Sequence, residues 1–184
     1  MDKWLYEKFS NWFHGGTIYF YSDPHFSDEE MKYLRKNYIG DEEQVKRINS
    51  KVGKNDTIVI LGDIGDKEWV KKIRGYKVLI TGNHDAGATT YKDYFDEVYD
   101  GALFISSKIL LSHEPINYPF ALNIHGHDHS GWETSGNDLC WNMCAERINY
   151  TPISIQEIVK SGILKSIPSI HRATIDKATK RKGK

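Results

Sequence analysis

The chain has 184 residues, 39% of them hydrophobic, and its five tryptophans are enough to help fill a sizeable core. This length suits one domain, and a formal net charge of zero gives no overall argument for binding nucleic acid or a membrane. No run approaches the roughly 18 apolar residues that span a bilayer, and the N-terminus lacks the apolar stretch of a secretory signal, so we expect a cytoplasmic protein.

An amphipathic helix is predicted at the N-terminus, over residues 1–16. One helical face carries four apolar side chains: Leu5, Phe9, Trp12 and Phe13. Two glycines at 15 and 16 end the pattern. We interpret this helix as a cover for one side of the core, with a docking face for a partner or a membrane surface as the alternative.

Strands alternate with helices in the first half of the chain. Three short apolar segments predict strands: 17–22, 57–61 and 77–81. Helices are expected between them: two within 28–52, separated near Gly40, and a short one over 67–74. This alternation predicts βαβ units and a largely parallel sheet.

The pattern changes in the second half. Segments 97–105 and 108–112 lie close together and predict an antiparallel hairpin, followed by strands at 121–124 and 138–146. The expected fold class is α/β, a four-layer α/β/β/α sandwich in which two mixed β-sheets are flanked by helices.

A last helix is predicted to begin after Ser154, which forms a capping-box pattern with Glu157. It is expected to run to about Lys160 and to end at Gly162. We therefore expect the main domain to cover residues 17–164.

The C-terminal segment, residues 165–184, is interpreted as a basic tail. Between residues 160 and 184 there are eight Lys or Arg and one acid, which gives a local charge of +7. A solubilising terminus is the favoured interpretation. The alternative is contact with a polyanionic substrate such as nucleic acid.

Five clusters of metal-binding residue types follow the predicted strands. They are Asp-Pro-His at 23–25, Gly-Asp at 62–63, Gly-Asn-His-Asp at 82–85, Ser-His-Glu at 112–114 and Gly-His-Asp-His at 126–129. Ligands in α/β sheets bind at the carboxyl ends of strands, so these side chains are expected to meet at one edge. Carboxylate, carboxamide and imidazole groups together favour a site for two divalent metal ions.

The ordered motifs also resemble the calcineurin-like metallophosphoesterase family, over roughly residues 17–160. Segment 142–158 looks like the end of the compact bacterial and phage-type members. The resemblance implies a phosphoester hydrolase, with phosphodiesters favoured, that uses a bridging hydroxide at a binuclear site. The implied cofactors are two divalent ions, with manganese favoured over iron, zinc, nickel or cobalt.

The resemblance also implies a role for each motif residue. Seven side chains would bind metal: Asp23, His25 and His129 one ion, Asn83, His113 and His127 the second, and Asp63 both, one through each carboxylate oxygen. His84 would lie beside the substrate and stabilise the transition state or protonate the leaving oxygen. Asp85 would orient the His84 ring and raise its pKa.

Two further residues keep alternatives open. Asp66 either caps the helix that follows it or hydrogen-bonds a ligand histidine. His125 is expected beneath the site, as a packing residue or as a support for a ligand.

Substrate and partners are less constrained by the sequence. Phosphatase branches of the family carry an arginine shortly after Gly-Asp, whereas Asp-Lys-Glu stands at 66–68 here, which argues against a protein phosphatase. The chain has no room for a cap domain, so an open site for nucleotides or phosphodiesters is expected. The alternatives are a nuclease acting on nucleic-acid ends through the basic tail and a non-catalytic interaction scaffold, and the presence of His84 counts against the scaffold.

Overall fold

The computed structural model describes residues 5–132 and 134–168. Within these residues, nine strands occur in chain order: β1 Ile18–Tyr21, β2 Thr57–Ile60, β3 Tyr76–Ile80, β4 Glu97–Tyr99, β5 Leu103–Ser106, β6 Ile109–Leu111, β7 Leu122–His125, β8 Cys140–Asn142 and β9 Ile153–Ser154. Four α-helices accompany them: α1 Met31–Leu34, α2 Asp41–Lys51, α3 Ile155–Ser161 and α4 Ile163–Ser166. The described part of the chain also contains three short 3-10 helices: Glu7–Trp12, Lys67–Lys72 and Ala88–Tyr91.

The strands form two mixed sheets. The first has the order β4-β3-β2-β1-β9, in which β1 to β4 are parallel and β9 is antiparallel to β1. The second has the order β5-β6-β7-β8, with β5 antiparallel to β6 and the remaining pairs parallel. This architecture, with helices flanking the sheets, confirms the predicted α/β class.

Two apolar clusters hold the layers together. The two faces of the first sheet contribute to different clusters, because successive side chains of a strand point to opposite faces. Phe20 and Val59 join one cluster with Ile124 of the second sheet, while Ile60 joins the other with Ile48 of α2. Full burial of each such side chain contributes about 1.5–3 kcal/mol.

The N-terminal segment packs on the core in a shorter helix than expected. The described part of the predicted helix is the six-residue 3-10 helix Glu7–Trp12, and residues 1–4 lie outside the described part of the chain. Phe9 and Trp12 are fully buried in the core. The Trp12 indole also donates a hydrogen bond to Glu97 Oε1 at 3.1 Å, which ties the segment to β4.

The predicted strand 97–105 is two strands in different sheets. β4 pairs in parallel with β3, and β5 forms the expected antiparallel hairpin with β6. The chain turns between them at Gly101, whose φ of +94° is readily available only to glycine. The Asp-Gly pair at 100–101 was the sequence signal for this break.

The last helix was predicted correctly at both ends. Ser154 and Glu157 form the reciprocal capping box of α3, and Gly162 adopts the left-handed conformation, φ +83°, that ends it. The two-residue strand β9 just before it was not predicted. Of the predicted basic tail, residues 169–184 lie outside the described part of the chain. Within the described residues, no helix combines the length and apolar character needed to cross a membrane.

Candidate metal centre

Strand ends bring the five motifs together at one edge of the two sheets. The motifs follow β1, β2, β3, β6 and β7, and their side chains lie within hydrogen-bonding or ion-pairing distance of one another. Backbone bonds lock the first two loops, since Asp23 N donates to Gly62 O at 3.1 Å and His25 N donates to Asp63 O at 3.0 Å. The predicted convergence of the motifs is therefore present.

Three side chains form the first candidate group, which we call the Asp23 group: Asp23, His25 and His129. Asp23 Oδ1 lies 3.4 Å from His129 Nε2 and 3.9 Å from His25 Nε2. Atoms bound about 2.1 Å from one ion, at tetrahedral or octahedral angles, lie roughly 3.0–3.4 Å apart. The spacing in this group is therefore close to that of side chains around a common ion.

Three further side chains form the second candidate group, the Asn83 group: Asn83, His113 and His127. Asn83 Oδ1 lies 2.8 Å from His113 Nε2 and 3.0 Å from His127 Nδ1. The two imidazole nitrogens are 3.2 Å apart. Two imidazole nitrogens and a carboxamide oxygen meeting at one point form a donor set suited to a divalent transition metal.

Asp63 lies between the two groups and faces both through one oxygen. Its Oδ2 is 3.6 Å from His25 Nε2 and 3.4 Å from His113 Nε2. Its Oδ1 instead accepts the backbone N–H of His84 at 3.0 Å. One oxygen therefore faces both groups, while the other holds the loop that carries His84. The binding of two ions by Asp63 stays a prediction.

Unpartnered buried atoms indicate that a cation fits here. In the described part of the chain, Asp23 Oδ1 and His25 Nε2 are buried and have no hydrogen-bond partner. Leaving a buried polar group unsatisfied costs about 1–3 kcal/mol. A divalent ion would satisfy both atoms, so the residues present fit the metal that the motifs imply.

Backbone strain is concentrated at these residues. Four of the seven predicted ligands have left-handed φ values, namely Asp23 at +54°, His25 at +45°, Asp63 at +53° and His127 at +64°. Such conformations cost about 1–3 kcal/mol each in residues other than glycine and cluster at functional sites. The surrounding loops therefore stabilise a strained arrangement in which the side chains converge.

His84 lies at the open edge of this cluster. Its side chain is exposed, and its ring centroid lies 5.9 Å from that of His25 in an edge-to-face arrangement. Among the described residues, no hydrogen bond or ion pair is formed by this ring. The position is consistent with a group that faces substrate instead of metal.

Asp85 has a different environment from the one predicted. Its carboxylate accepts four hydrogen bonds, and none of the four comes from His84: the donors are Asp63 N, Ile64 N, Gly82 N and Tyr91 OH. Burial and the charge of this carboxylate raise the pKa of Tyr91 to about 12. Asp85 therefore fixes the backbone of the Asp63 loop, and the expected orientation of the His84 ring by Asp85 is corrected.

Comparison with known proteins decides the family. The model of the calcineurin-like phosphoesterase family matches residues 16–157. The chain belongs to the calcineurin-like phosphoesterase family. It is therefore a hydrolase of phosphoester bonds from a family that binds divalent metals, as the motifs predicted.

Two solved structures are similar to this chain, and the first of them shares its fold. A protein of unknown function from Aquifex aeolicus is 28% identical, with a TM-score of 0.63 over 78% of this chain and 98% of that one. The Pseudomonas putida nuclease MPE is 22% identical, with a TM-score of 0.46 over 61% of each chain. Among curated proteins, no match was found.

Two residues with open roles lie outside the cluster. Asp66 is the N-cap of the 3-10 helix Lys67–Lys72, where its side chain accepts the Glu68 N–H at 3.0 Å, which supports the capping alternative. His125 is fully buried at the end of β7, with Nδ1 2.7 Å from Gly126 O. It lies directly before the loop that carries His127, and its role as a packing residue or a support for a ligand stays a prediction.

Two charged residues at the site were not predicted. Glu146 Oε1 lies 2.6 Å from His129 Nδ1, and Arg35 pairs with Glu146 and with the backbone of Asp23. Burial lowers the pKa of His129, but the hydrogen bond to Glu146 and the charge of Asp23 outweigh it, so this pKa is raised overall. Neither Arg35 nor Glu146 belongs to a recognisable motif, and their role depends on contacts between distant segments.

Gly126→Ala is expected to reduce metal affinity and stability. A Cβ at this position would overlap the Ser22 hydroxyl and the Asp23 carboxylate, so either the β1 loop or the β7 loop must move. Overpacking of this kind costs typically about 1–3 kcal/mol. Metal content after dialysis and the thermal unfolding midpoint measure the effect.

The matched control is Gly87→Ala, because no atom lies within 4 Å of a Cβ there and its φ is −56°. It should leave both quantities near wild type. Wild-type metal content in Gly126→Ala would contradict the close packing of this glycine against Asp23.

Proposed function

We propose that the protein hydrolyses phosphodiesters with two divalent metal ions, one held by the Asp23 group and one by the Asn83 group. The observation that carries the proposal is the position of Asp63 Oδ2, 3.6 Å from His25 Nε2 and 3.4 Å from His113 Nε2. An oxygen in this position can belong to both coordination spheres. Manganese is the favoured ion, since mixed oxygen and imidazole donors suit it and availability decides between similar metals.

The proposed chemistry divides between metal and protein. Bound ions would supply Lewis-acid activation of the phosphoryl group and of water. His84 would donate a proton to the leaving oxygen or a hydrogen bond to the phosphoryl group. Asp63 supports this role because it accepts the His84 backbone N–H and so fixes the loop relative to both groups.

Two cavities lined by residues of the Asn83 group support a diester substrate. One, of about 680 Å³, is lined by His127 together with Asn117 and Asn137. Another, of about 330 Å³, is lined by Asn83 and His113. A phosphodiester carries two substituents, and these two cavities, which share Glu114 and Pro115 in their linings, offer space for both. The neutral amides of the larger cavity suit a polar substituent such as a sugar or a base.

Metal dependence and substrate preference test the proposal together. We expect turnover of bis-p-nitrophenyl phosphate with Mn²⁺, a lower rate on p-nitrophenyl phosphate, and loss of both activities in a chelator. Cyclic nucleotides and single-stranded DNA belong in the same panel, because the nuclease alternative predicts activity on DNA. A preference for the monoester would contradict the diester proposal. The absence of activity on every substrate with every metal would favour the alternative of a non-catalytic interaction scaffold.

The proposal includes a cytoplasmic location, but it does not include contact with nucleic acid. Cys140 and Cys144 are unbridged thiols, which supports the cytoplasm, where thiols stay reduced. Contact with nucleic acid depends on the basic tail, most of which lies outside the described residues. It therefore stays an alternative and not part of the main proposal.

A further inference from the structure

A buried ion pair lies directly behind the Asp23 group. Arg35 Nε is 3.1 Å from Glu146 Oε2, and only 2% and 11% of the two side chains are exposed. Arg35 directly follows α1 and Glu146 lies between β8 and β9, so the pair joins two segments that carry none of the motifs. Asn37 reinforces the junction, since its amide donates to Glu146 O at 2.9 Å.

Glu146 fixes the orientation of His129. Its Oε1 lies 2.6 Å from His129 Nδ1, so the proton of the neutral ring is on Nδ1 and the lone pair on Nε2. Nε2 points to Asp23 Oδ1, 3.4 Å away. A carboxylate behind a metal-binding histidine sets the tautomer and strengthens the ring as a ligand.

Arg35 fixes the backbone of Asp23. Its Nη2 donates to Asp23 O at 2.7 Å, and the side chain is almost fully buried. Asp23 has a left-handed φ of +54°, a conformation that needs external support. The forked guanidinium supplies that support while its Nε faces Glu146, a geometry that a lysine ammonium cannot reproduce.

We propose that Arg35 and Glu146 position the ligands of the ion in the Asp23 group, Arg35 by holding Asp23 and Glu146 by holding His129. The inference rests on the proposed two-ion site. A buried ion pair often adds little stability relative to apolar residues of similar size. A contribution to stability therefore does not explain why an ion pair lies at this position. Its contacts with His129 and Asp23 give it a role in metal binding.

Glu146→Gln tests this role while it keeps the size of the side chain. We expect one Mn²⁺ to bind as in wild type and the other about 10–100-fold more weakly, the usual effect of losing such a partner. Isothermal titration gives the two affinities. Electron paramagnetic resonance distinguishes a magnetically coupled Mn²⁺ pair from an isolated ion. At limiting Mn²⁺ turnover should fall, and excess Mn²⁺ should restore most of it.

Glu97→Gln is the matched control. Glu97 is a half-buried carboxylate that accepts hydrogen bonds from Asn11, Trp12, Tyr76 and Tyr99, at the outer strand of the first sheet. A general loss of stability would affect this variant as well, whereas a role in metal binding is confined to Glu146. Equal weakening of Mn²⁺ binding in both variants would overturn the proposal.

Arg35→Lys, Arg35→Met and the Arg35→Met/Glu146→Gln double variant test whether the two residues act together. Arg35→Lys keeps the charge but loses the planar guanidinium that contacts Asp23 and Glu146 together. We expect the same result as for Glu146→Gln, namely weaker binding of one Mn²⁺. The fold-loss of Mn²⁺ affinity in the double variant should be smaller than the product of the losses in Arg35→Met and Glu146→Gln.

Two outcomes of these titrations are distinguishable. If the wild-type protein binds fewer than two Mn²⁺, the two-ion function fails and the inference fails with it. If wild type binds two and Glu146→Gln binds both with unchanged affinity, the positioning role alone is wrong.

Discussion

Asp63→Asn is expected to lower turnover by about 10³-fold or more and to reduce bound metal. Each 1.36 kcal/mol of lost transition-state stabilisation is a factor of ten, and metal ions supply several kcal/mol. The amide can still accept the His84 N–H at the position of Oδ1, so the loop keeps its support. The amide nitrogen then stands at the position of Oδ2, where it faces His25 and His113 and cannot bind a cation.

Asp66→Asn is the matched control, three residues further along the same loop. Its carboxylate caps a 3-10 helix and is exposed, so turnover and metal content should stay near wild type. Metal content by mass spectrometry and the turnover of a diester at saturating Mn²⁺ are the two measurements. Asp63→Asn with two bound ions would contradict the shared position of this carboxylate.

The part of the site that could be predicted is the part that local sequence specifies. Apolar runs at 57–61 and 77–81 end directly in polar motifs, and a parallel sheet brings such ends to one edge. The resemblance of the motifs to one family then gave each residue a role. The sequence alone is therefore enough to propose the residues of both groups of candidate ligands, but not the distances between them.

Contacts between distant segments set the limits of prediction. Arg35 and Glu146 are 111 positions apart and meet only because the loop after α1 packs beside the loop after β8. Asp85 stands beside His84 in the sequence, yet its carboxylate is turned to the amides of the Asp63 loop. Sequence adjacency indicates which residues share a loop, but not which way their side chains turn.

The prediction of a single strand over 97–105 failed for a similar reason. β4 is only three residues long and its side chains are all half-buried, so alternation could not distinguish it from the start of the hairpin. Its membership of the first sheet follows from pairing with β3, which is a tertiary contact. The two-residue β9 is too short to give any periodic signal.

His84→Ala is expected to lower turnover by about 10²–10³-fold, the usual effect of removing one donor to a developing charge. Metal content should stay near wild type, because the described side chain lies at the exposed edge and the Asp63 carboxylate contacts only its backbone N–H. His14→Ala is the control, since it removes an exposed histidine whose ring packs on Tyr76. Turnover near wild type in His84→Ala would show that the assigned role is wrong.

The leaving group distinguishes the two roles assigned to His84. Nitrophenolate leaves readily without a proton, whereas the alkoxide of a dinucleotide needs one in the transition state. If His84 protonates the leaving oxygen, His84→Ala should lose far more activity on a dinucleotide than on bis-p-nitrophenyl phosphate. If it only stabilises charge on the phosphoryl oxygens, the two losses should be similar. The ratio of kcat/KM for the two substrates, in wild type and variant, therefore identifies the proton donor independently of the absolute rates.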